Sequence, residues 1–371
     1  MTAPASTAAS RIGRPEAGAR VLVAMSGGVD SSLAAALLHE AGYEVVGVTL
    51  HLWDAEGKQQ VGRCCAPEDR RDARITCDFL GVPHYVIDER EAFRGHVVDP
   101  FVRDNAAGLT PSPCVACNQH VKLGRLVELA DRFGASHVGT GHYARLEHAP
   151  AEGPPALRLR RGDDHAKDQS YFLFGVEPAV LARLVFPLGE MNKGEGRERA
   201  RQLGLPNWDK PDSQELCFVP DGDVAGFVRE RRQEAGRAGA VVDEDGRELG
   251  RHGGIEGFTV GQRRGIGVGG GERRYVLRVV PDTAEVVVGP DTALLEDSLE
   301  ATGARWLQPL PPAGRRAQVR IRYRHTPAPA FVTPTDAGFR VVFEEPQRAV
   351  APGQAAVVYD GDEVLGGGYI T

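Results

Sequence analysis

With 371 residues, the chain is longer than one ordinary hydrophobic core supports, and its length predicts two or three domains. Its 44 Lys and Arg residues against 51 Asp and Glu residues give a net charge of −7, which confines any nucleic-acid surface to a local patch. Six cysteines without a regular spacing argue against a disulfide-stapled framework and indicate a reducing compartment, for which we expect the cytoplasm.

Residues 1–19 consist mainly of Ala, Ser, Thr, Pro and Arg and lack the apolar segment of a secretory signal. A disordered N-terminal tail is therefore expected over these residues. No stretch of the sequence approaches the ~18 apolar residues of a membrane span, so no association with a membrane is expected.

The first strong pattern is an apolar run, residues 21–25, that leads into SGGVDSS at residues 26–32 and then into a run of helix formers. This order predicts a buried strand, a tight turn and a helix N-terminus. Asp30 and Ser31 occupy positions expected of N-cap residues, and the two glycines let a ligand approach the backbone. Free N–H groups and the positive end of the helix dipole converge at such a turn, which therefore predicts an anion site.

SGGVDSS resembles the PP-loop of the ATP pyrophosphatases, which cleave ATP between the α- and β-phosphates and adenylate a substrate. It differs from the GxxxxGK[ST] loop because no lysine follows the glycines. The resemblance implies that Asp30 helps to hold Mg²⁺, which prefers carboxylate and phosphate oxygens. The residues that it implies for ATP binding are Ala24, Met25, Ser26, Gly27, Gly28, Val29, Asp30, Ser31, Leu50 and Gly141.

Strand and helix patterns alternate along residues 20–218, which predicts a doubly wound, Rossmann-like parallel α/β sheet. Ligands in such sheets bind beyond the carboxyl ends of the strands, where SGGVDSS lies. Leu50 ends the second predicted strand, where it could pack on adenine or belong to the core. The further strands and helices that the pattern predicts are residues 44–50, 84–87 and 136–140, and residues 67–80 and 91–107.

Three cysteines fall in two further motifs. Cys114 and Cys117 have the CxxC spacing of redox pairs, zinc half-sites and cluster ligands, and the predicted helix start near Cys117 favours a low thiol pKa. Cys217 stands alone between apolar neighbours, which by itself is typical of a buried structural thiol. Zinc is disfavoured because no fourth ligand is evident. The thiols that we interpret as packing or incidental are Cys64, Cys65 and Cys77.

The order of several motifs is similar to that of the tRNA-specific 2-thiouridylases, and the similarity spans nearly the whole chain. The motifs are SGGVDSS, TPSPCVACN, TGHYA, KDQSYFL, DSQELCF, TVGQRRGIG, PGQAAV and a final GGG. This resemblance implies ATP-dependent adenylation of the wobble uridine (position 34) of a tRNA at its C2 oxygen. Sulfur then replaces that oxygen, and AMP and pyrophosphate are released.

The resemblance also implies roles for the three cysteines. Cys217 carries the sulfur as a persulfide, and Cys117 attacks it, with a transient disulfide between the two. Many members carry an aspartate, proposed as a general acid/base, where this chain has Cys114. Relatives with a CxxC instead suggest a [4Fe–4S] cluster on Cys114, Cys117 and Cys217, because thiolates suit such clusters. The persulfide relay and the cluster mechanism both stay open at this point.

The partners implied by the resemblance are tRNAs of the Lys, Glu and Gln type and a cysteine desulfurase or sulfur-relay carrier. The residues implied for tRNA binding are Ser112, Pro113, His142, Lys167, Asp168, Gln169, Arg322, Tyr323 and Gln354. Two rival functions also stay open: a small-molecule ligase of the same superfamily, and a tRNA-binding module that has lost its chemistry. The intact motifs and the cysteine triplet argue against both.

After residue 218 the pattern changes to short strands and glycine-rich turns, which predicts two β domains. We expect a central tRNA-binding domain over residues 219–292 and a C-terminal β-barrel over residues 293–371. In the barrel, polar residues at every second position predict a basic strand face that contacts phosphates, with a solvated edge strand as the alternative. These residues are Arg316, Gln318, Arg320, Arg322 and Arg324. A second patch is expected from Arg263, Arg264, Arg273 and Arg274.

Overall fold

The structure is a computed structural model that describes residues 15–54, 67–148, 157–212, 216–219, 222–232, 236–269 and 273–371. Most of the predicted tail, the pair Cys64 and Cys65, and the centre of the DSQELCF motif lie outside the described residues. No helix in the described part of the chain is long and apolar enough to cross a membrane.

The described residues form two compact units. The first comprises those within residues 1–94, 117–217 and 362–364. The second comprises those within residues 95–116, 218–361 and 365–371.

The described strands and helices follow in chain order. The strands are β1 (Arg20–Ala24), β2 (Glu44–His51), β3 (His84–Asp88), β4 (His137–Gly139), β5 (Ala144–His148), β6 (Leu157–Arg161), β7 (Leu184–Val185), β8 (Gly239–Val242), β9 (Glu248–His252), β10 (Tyr275–Val280), β11 (Glu285–Gly289), β12 (Leu295–Trp306), β13 (Arg315–Arg320), β14 (Ala328–Thr335), β15 (Gly338–Arg348), β16 (Ala355–Asp360) and β17 (Glu363–Ile370). The α-helices are α1 (Val29–Glu40), α2 (Pro67–Leu80), α3 (Arg90–Phe93), α4 (Asp99–Ala106), α5 (Pro113–Cys117), α6 (Leu123–Arg132), α7 (Pro178–Leu181), α8 (Lys193–Gln202) and α9 (Val224–Arg232).

The first unit is built on a parallel sheet with the strand order β3-β2-β1-β4-β7. Its centre is apolar, and Val21, Leu22 and Val23 of β1 are fully buried. The chain crosses from β1 to β2 and β3 on one side, and then returns to β4 on the other side of β1. The turn after β1 therefore lies at the switch point of the sheet. The predicted doubly wound α/β fold is confirmed.

Two helical segments contain π turns. Residues predicted as one helix, 91–107, form α3, a π turn over Arg94–Val98, and α4. A second π turn, Asn118–Lys122, joins α5 to α6 directly after the CxxC motif. Such turns insert a residue into the helical ladder and are frequent at functional sites.

The second unit contains two β structures, as the change of pattern after residue 218 predicts. A four-stranded sheet has the order β10-β11-β8-β9 and packs Val241, Val276 and Val286 into its core. The strands β12-β15-β14-β13-β16-β17 pair in that order, and β12 also pairs with β17, which closes an antiparallel barrel. Its core includes Val319 and Phe339, both fully buried. The predicted C-terminal barrel is therefore confirmed.

Candidate active site

The turn after β1 differs in detail from the predicted cap. Helix α1 begins at Val29, and its N-cap is Gly28, in an extended conformation with φ −86° and ψ 161°. The predicted N-cap at Asp30 or Ser31 is wrong, because both residues already lie in the first helical turn. The Ser31 hydroxyl instead donates to the Gly28 carbonyl at 2.9 Å and accepts from the Ser26 N–H at 3.2 Å, which ties the turn together.

Glycine is required at position 27 for two reasons. Gly27 has a φ of +78°, which side chains rarely adopt. A Cβ atom there would also lie 2.6 Å from the carbonyl carbon of Asp69, in the first turn of α2. The Gly27 carbonyl accepts from the Asn207 amide and the Lys210 ammonium, each at 3.1 Å. The loop is thus fixed from several sides.

The other residues predicted for ATP binding surround this loop. Gly141 lies directly against the start of α1, since a Cβ on it would be 2.7 Å from the Asp30 carbonyl carbon and 2.8 Å from the Ser31 nitrogen. Leu50, near the end of β2, is almost fully buried. Met25 donates its N–H to the Val48 carbonyl at 2.8 Å. The structure therefore brings Gly141 to the loop, as the sequence order predicts, while nucleotide contact by these residues stays a prediction.

Asp30 is the centre of a charged network in the first unit. The Lys193 ammonium donates to both Asp30 carboxylate oxygens, at 2.6 and 2.7 Å, and the Tyr143 hydroxyl donates to one of them at 3.1 Å. Lys193 also pairs with Asp212 at 2.9 Å. Lys167 and Arg197 reach the same Asp212 carboxylate, at 2.8 and 3.1 Å.

The network changes the acidity of two of its members. Burial, followed by the charge of Asp30, raises the pKa of the Tyr143 hydroxyl. Burial opposes ionisation of Asp212, but hydrogen bonds from Lys167 and Lys193 outweigh burial and lower the pKa of Asp212 to about 2. Asp212 is therefore an anion, and Tyr143 a hydrogen-bond donor, at neutral pH.

The sequence reasoning missed this network and the clamp on Gly27. It assigned no role to Lys193, Lys210 or Asn207, and it quoted Asp212 only as the first letter of the DSQELCF motif. The five basic residues from α8 to Asp212 are nearly matched by four acidic ones, so the charge of this segment gave no signal. No spacing rule connects that segment to the PP-loop, so only the fold reveals the contacts.

The three cysteines of the predicted sulfur chemistry differ in exposure. Cys117 is the last residue of α5 and is buried, Cys114 is exposed, and Cys217 is half-buried. These three and the buried Cys77 are thiols outside any disulfide. Burial and then the charge of Asp78 raise the pKa of Cys77 to about 12, which fits its interpretation as an inert packing thiol. Among the described residues, no three or more His, Cys, Asp or Glu side chains are grouped so that they could hold a metal ion.

The predicted tRNA contacts in the first unit include residues whose polar groups have internal partners. Asp168 is only 1% exposed, and its carboxylate accepts from the N–H groups of Gly162 and Ser170. The Gln169 side chain accepts from the Tyr143 N–H at 3.0 Å. Burial and then the charge of Lys122 lower the pKa of His142 to about 3, so its ring is neutral. These residues shape the loop, and their contact with tRNA stays a prediction.

In the second unit, Gln354 and the start of α5 lie close together. The Gln354 amide donates to the Thr110 carbonyl at 2.8 Å, just before Ser112 and Pro113. A role of these three residues in tRNA binding stays a prediction.

The predicted basic face of the barrel differs from the structure. Strand β13 ends at Arg320, so the alternation does not continue to residue 324. Arg320 is only 6% exposed, and its guanidinium donates to the Tyr323 carbonyl and stacks on the Tyr323 ring. Arg322 donates to the Arg348 carbonyl at 3.0 Å. The period-two interpretation is wrong beyond β13 because the chain bends there, and Arg324 is left exposed.

The parallel sheet and the SGGVDSS turn are those of a Rossmann-like PP-loop domain, and three family models match the chain. The first, described as a tRNA methyl transferase HUP domain, matches residues 19–221. The tRNA methyl transferase PRC-barrel domain matches residues 225–290, and the aminomethyltransferase beta-barrel domain matches residues 296–370.

Curated relatives identify the family. A tRNA-specific 2-thiouridylase of Sorangium cellulosum is 52% identical, with 96% of this chain and 93% of the relative covered. Relatives of the same name from Solibacter usitatus and Chloroflexus aggregans are each 48% identical, covering 94% and 95% of this chain and 98% of their own length. The chain belongs to the tRNA-specific 2-thiouridylase family. A solved 4-thiouridine synthetase–RNA complex is similar at a TM-score of 0.35 and 17% identity, over 58% of this chain and 50% of that chain, and adds nothing to this assignment.

Proposed function

We propose that this chain is an ATP-dependent tRNA-uridine 2-sulfurtransferase that converts the wobble uridine of a tRNA to 2-thiouridine. The observation that carries the proposal is that one compact unit holds a complete PP-loop together with Cys117 and Cys217. The printed name of the first family model refers to methyl transfer. A PP-loop and a pair of cysteines suit activation and sulfur transfer, and the names of the full-length relatives state thiolation.

In the activation step, the C2 oxygen of the uridine attacks the α-phosphorus of ATP, N3 loses its proton, and pyrophosphate leaves. The N–H groups at the start of α1 supply donors and a positive dipole for the phosphates. Asp30 is a half-exposed carboxylate beside them, which fits a magnesium ion that is held by one carboxylate and by phosphate oxygens. A magnesium ion bound with ATP would neutralise phosphate charge. Lys193, paired with Asp30, adds a cation at the same place.

In the sulfur step, the terminal sulfur of a persulfide on Cys217 attacks C2, and the C2–O bond breaks as AMP leaves with that oxygen. The Cys117 thiolate then attacks Cys217 Sγ and breaks the S–S bond, so that the electron pair of this bond stays on the new thiocarbonyl sulfur. The resulting disulfide is reduced by an external thiol. Cys117 is buried, which keeps water away from the attacking thiolate.

A [4Fe–4S] cluster on Cys114, Cys117 and Cys217 is the alternative mechanism that the resemblance implies. Cys114 is exposed while Cys117 is buried, and no described group of three ligating side chains converges on a metal position. The persulfide relay is therefore the proposed route, and the variant Cys114→Ser distinguishes it from the cluster.

The proposed substrate tRNAs and the sulfur donor are those that the family resemblance implies. The tRNAs are those of the Lys, Glu and Gln type, as the resemblance implies, and the sulfur comes from a cysteine desulfurase or a sulfur-relay carrier. A thiol relay requires a reducing compartment, for which the cytoplasm is the expected location.

A reconstituted reaction tests the proposal. Purified protein, ATP, Mg²⁺, a persulfide donor and a tRNA with a wobble uridine are combined, and pyrophosphate and 2-thiouridine are measured. We expect both products with this tRNA and neither with a matched tRNA that carries wobble cytidine. Pyrophosphate release without tRNA would indicate a small-molecule ligase, and tRNA binding without pyrophosphate release would indicate a binding module.

A further inference from the structure

Three side chains within residues 207–212 form hydrogen bonds or ion pairs with the PP-loop region. The Asn207 amide donates to the Gly27 carbonyl and, at 3.0 Å, to the Ser32 hydroxyl. Lys210 donates to the same carbonyl and pairs with Asp69 and Asp72, both at 2.5 Å. Asp212, the last of the three, joins the segment to Asp30 through Lys193. This short segment is therefore held at both of its ends.

Asp212 is the anion that the surrounding cations share. Its carboxylate lies within 3.1 Å of nitrogen atoms of Lys167, Lys193 and Arg197. Its side chain is only 24% exposed, so water screens these pairs less than at an open surface. A charge that is paired three times in a partly buried place holds its backbone firmly, because moving it would take one carboxylate partner from each of three cations.

Cys217 follows Asp212 by five residues. Five residues of extended chain span at most about 18 Å, so the position of Asp212 restricts the volume that the Cys217 thiol can sample. A tether of this length raises the effective concentration of one reacting group near another. The chain therefore keeps Cys217, the proposed sulfur carrier, within a limited distance of the loop that activates the uridine.

We propose that Asp212 is a positioning residue that keeps Cys217 near the adenylated uridine, so that sulfur rather than water attacks C2. This inference rests on the proposed function. If a water molecule attacks instead, its oxygen forms the new bond to C2 and AMP leaves with the old oxygen. Uridine is restored as one water proton returns to N3 and the other is lost to solvent. Each such event consumes one ATP without adding sulfur.

The ratio of pyrophosphate released to 2-thiouridine formed measures this loss. We expect a ratio near 1 in the unchanged protein, and a rise of roughly tenfold in Asp212→Asn, since small misplacements of reacting groups cost up to ~100-fold in rate. A merely structural defect would lower both products together and leave their ratio unchanged. Asp212→Glu, which keeps the charge, is expected to restore part of the coupling.

A matched control is Asp131→Asn, because Asp131 is an exposed aspartate that pairs with a single cation, Arg183, at 2.9 Å. Its ratio is expected to stay at the value of the unchanged protein. If Asp212→Asn fails to fold, Arg197→Met removes one of the three cations and is expected to give a smaller rise.

An unchanged ratio in a folded Asp212→Asn protein, or in Arg197→Met when Asp212→Asn does not fold, would overturn the inference. An equal rise in Asp131→Asn would overturn it as well. If the unchanged protein forms no 2-thiouridine at all, the proposed function fails instead, and the two failures are therefore distinguishable.

Discussion

The PP-loop region and the arginine-rich end of β13 both gather several cations, but the partners of these cations differ. Near the PP-loop, Lys193 and Lys210 pair with carboxylates that lie on or beside the loop. In the barrel, Arg320 and Arg322 donate to backbone carbonyls at a bend of the chain. A side-chain ion pair can change partners when a charged ligand binds. A guanidinium group that is hydrogen-bonded to backbone carbonyls instead stabilises the fold. We therefore expect ligand-dependent effects from substitutions in the first region. In the second region, we expect an effect on tRNA binding only from the exposed arginines.

The largest expected effect is in the first region. Asp30→Ala removes the carboxylate proposed to help hold Mg²⁺ and takes one of two carboxylate partners from Lys193, so tRNA-dependent pyrophosphate release should fall by at least ~100-fold. Binding of tRNA, measured separately, should be largely intact. Glu40→Ala, at the other end of α1, is the control and should keep the rate. An Asp30→Ala protein that still adenylates tRNA at the unchanged rate would contradict the PP-loop assignment.

The next largest effect is expected from substitutions of the cysteines, which distinguish the persulfide relay from the cluster mechanism. In the relay, Cys117→Ser abolishes thiolation, while Cys114→Ser keeps much of it because exposed Cys114 is at most a supporting group. Thiolated tRNA per enzyme and iron content are measured on the same anaerobic preparation. Activity in an iron-free Cys114→Ser protein would exclude the cluster. Joint loss of iron and activity would count against the relay.

Two glycines with similar positive φ values sharpen the comparison further. Gly27 and Gly42 have φ values of +78° and +84°, but a Cβ meets Asp69 only at Gly27, and at Gly42 nothing lies within 4 Å. Gly42→Ala should cost about 1–2 kcal/mol in the free energy of unfolding and leave ATP binding unchanged. Gly27→Ala should in addition weaken ATP binding, measured by equilibrium titration. Equal ATP affinity in both variants would show that the contact with α2 does not shape the loop.

The smallest effect is expected in the barrel. Arg324→Ala removes an exposed cation and should lower the slope of log K against log salt for tRNA binding by about 0.7 to 0.9. Arg320→Ala removes a buried guanidinium and should destabilise the protein by about 1–3 kcal/mol, as measured by thermal unfolding, because the partly buried Tyr323 carbonyl loses its donor. ATP affinity is the control for both variants. An unchanged salt slope in Arg324→Ala would make this residue part of a solvated surface.

The sequence sufficed for features that depend on local backbone rules. An apolar run, a glycine turn and a helix predicted the loop, and the alternation of elements predicted the sheet around it. The cap was misplaced because Gly28 can begin the helix without a side-chain cap. The predicted basic strand face failed because a period of two places residues on one face only while the chain stays a strand. Strand β13 ends at Arg320.

Contacts between distant residues could not be predicted. Asp30 and Lys193 are 163 positions apart and meet because α1 and α8 share an apolar core that includes Leu33 and Ala200. The pairing of Asp212 with three cations likewise depends on where the fold places each chain segment. Such networks follow from packing, and no short motif encodes them.

The fate of the uridine oxygen tests the central claim most directly. A tRNA anticodon stem-loop carrying a heavy oxygen isotope at C2 of the wobble uridine is thiolated with ATP, and the released AMP is analysed by mass spectrometry. Attack of the C2 oxygen on the α-phosphorus predicts that the heavy isotope appears in AMP, in an amount equal to the 2-thiouridine formed. Unlabelled AMP alongside newly formed 2-thiouridine would contradict activation by adenylation.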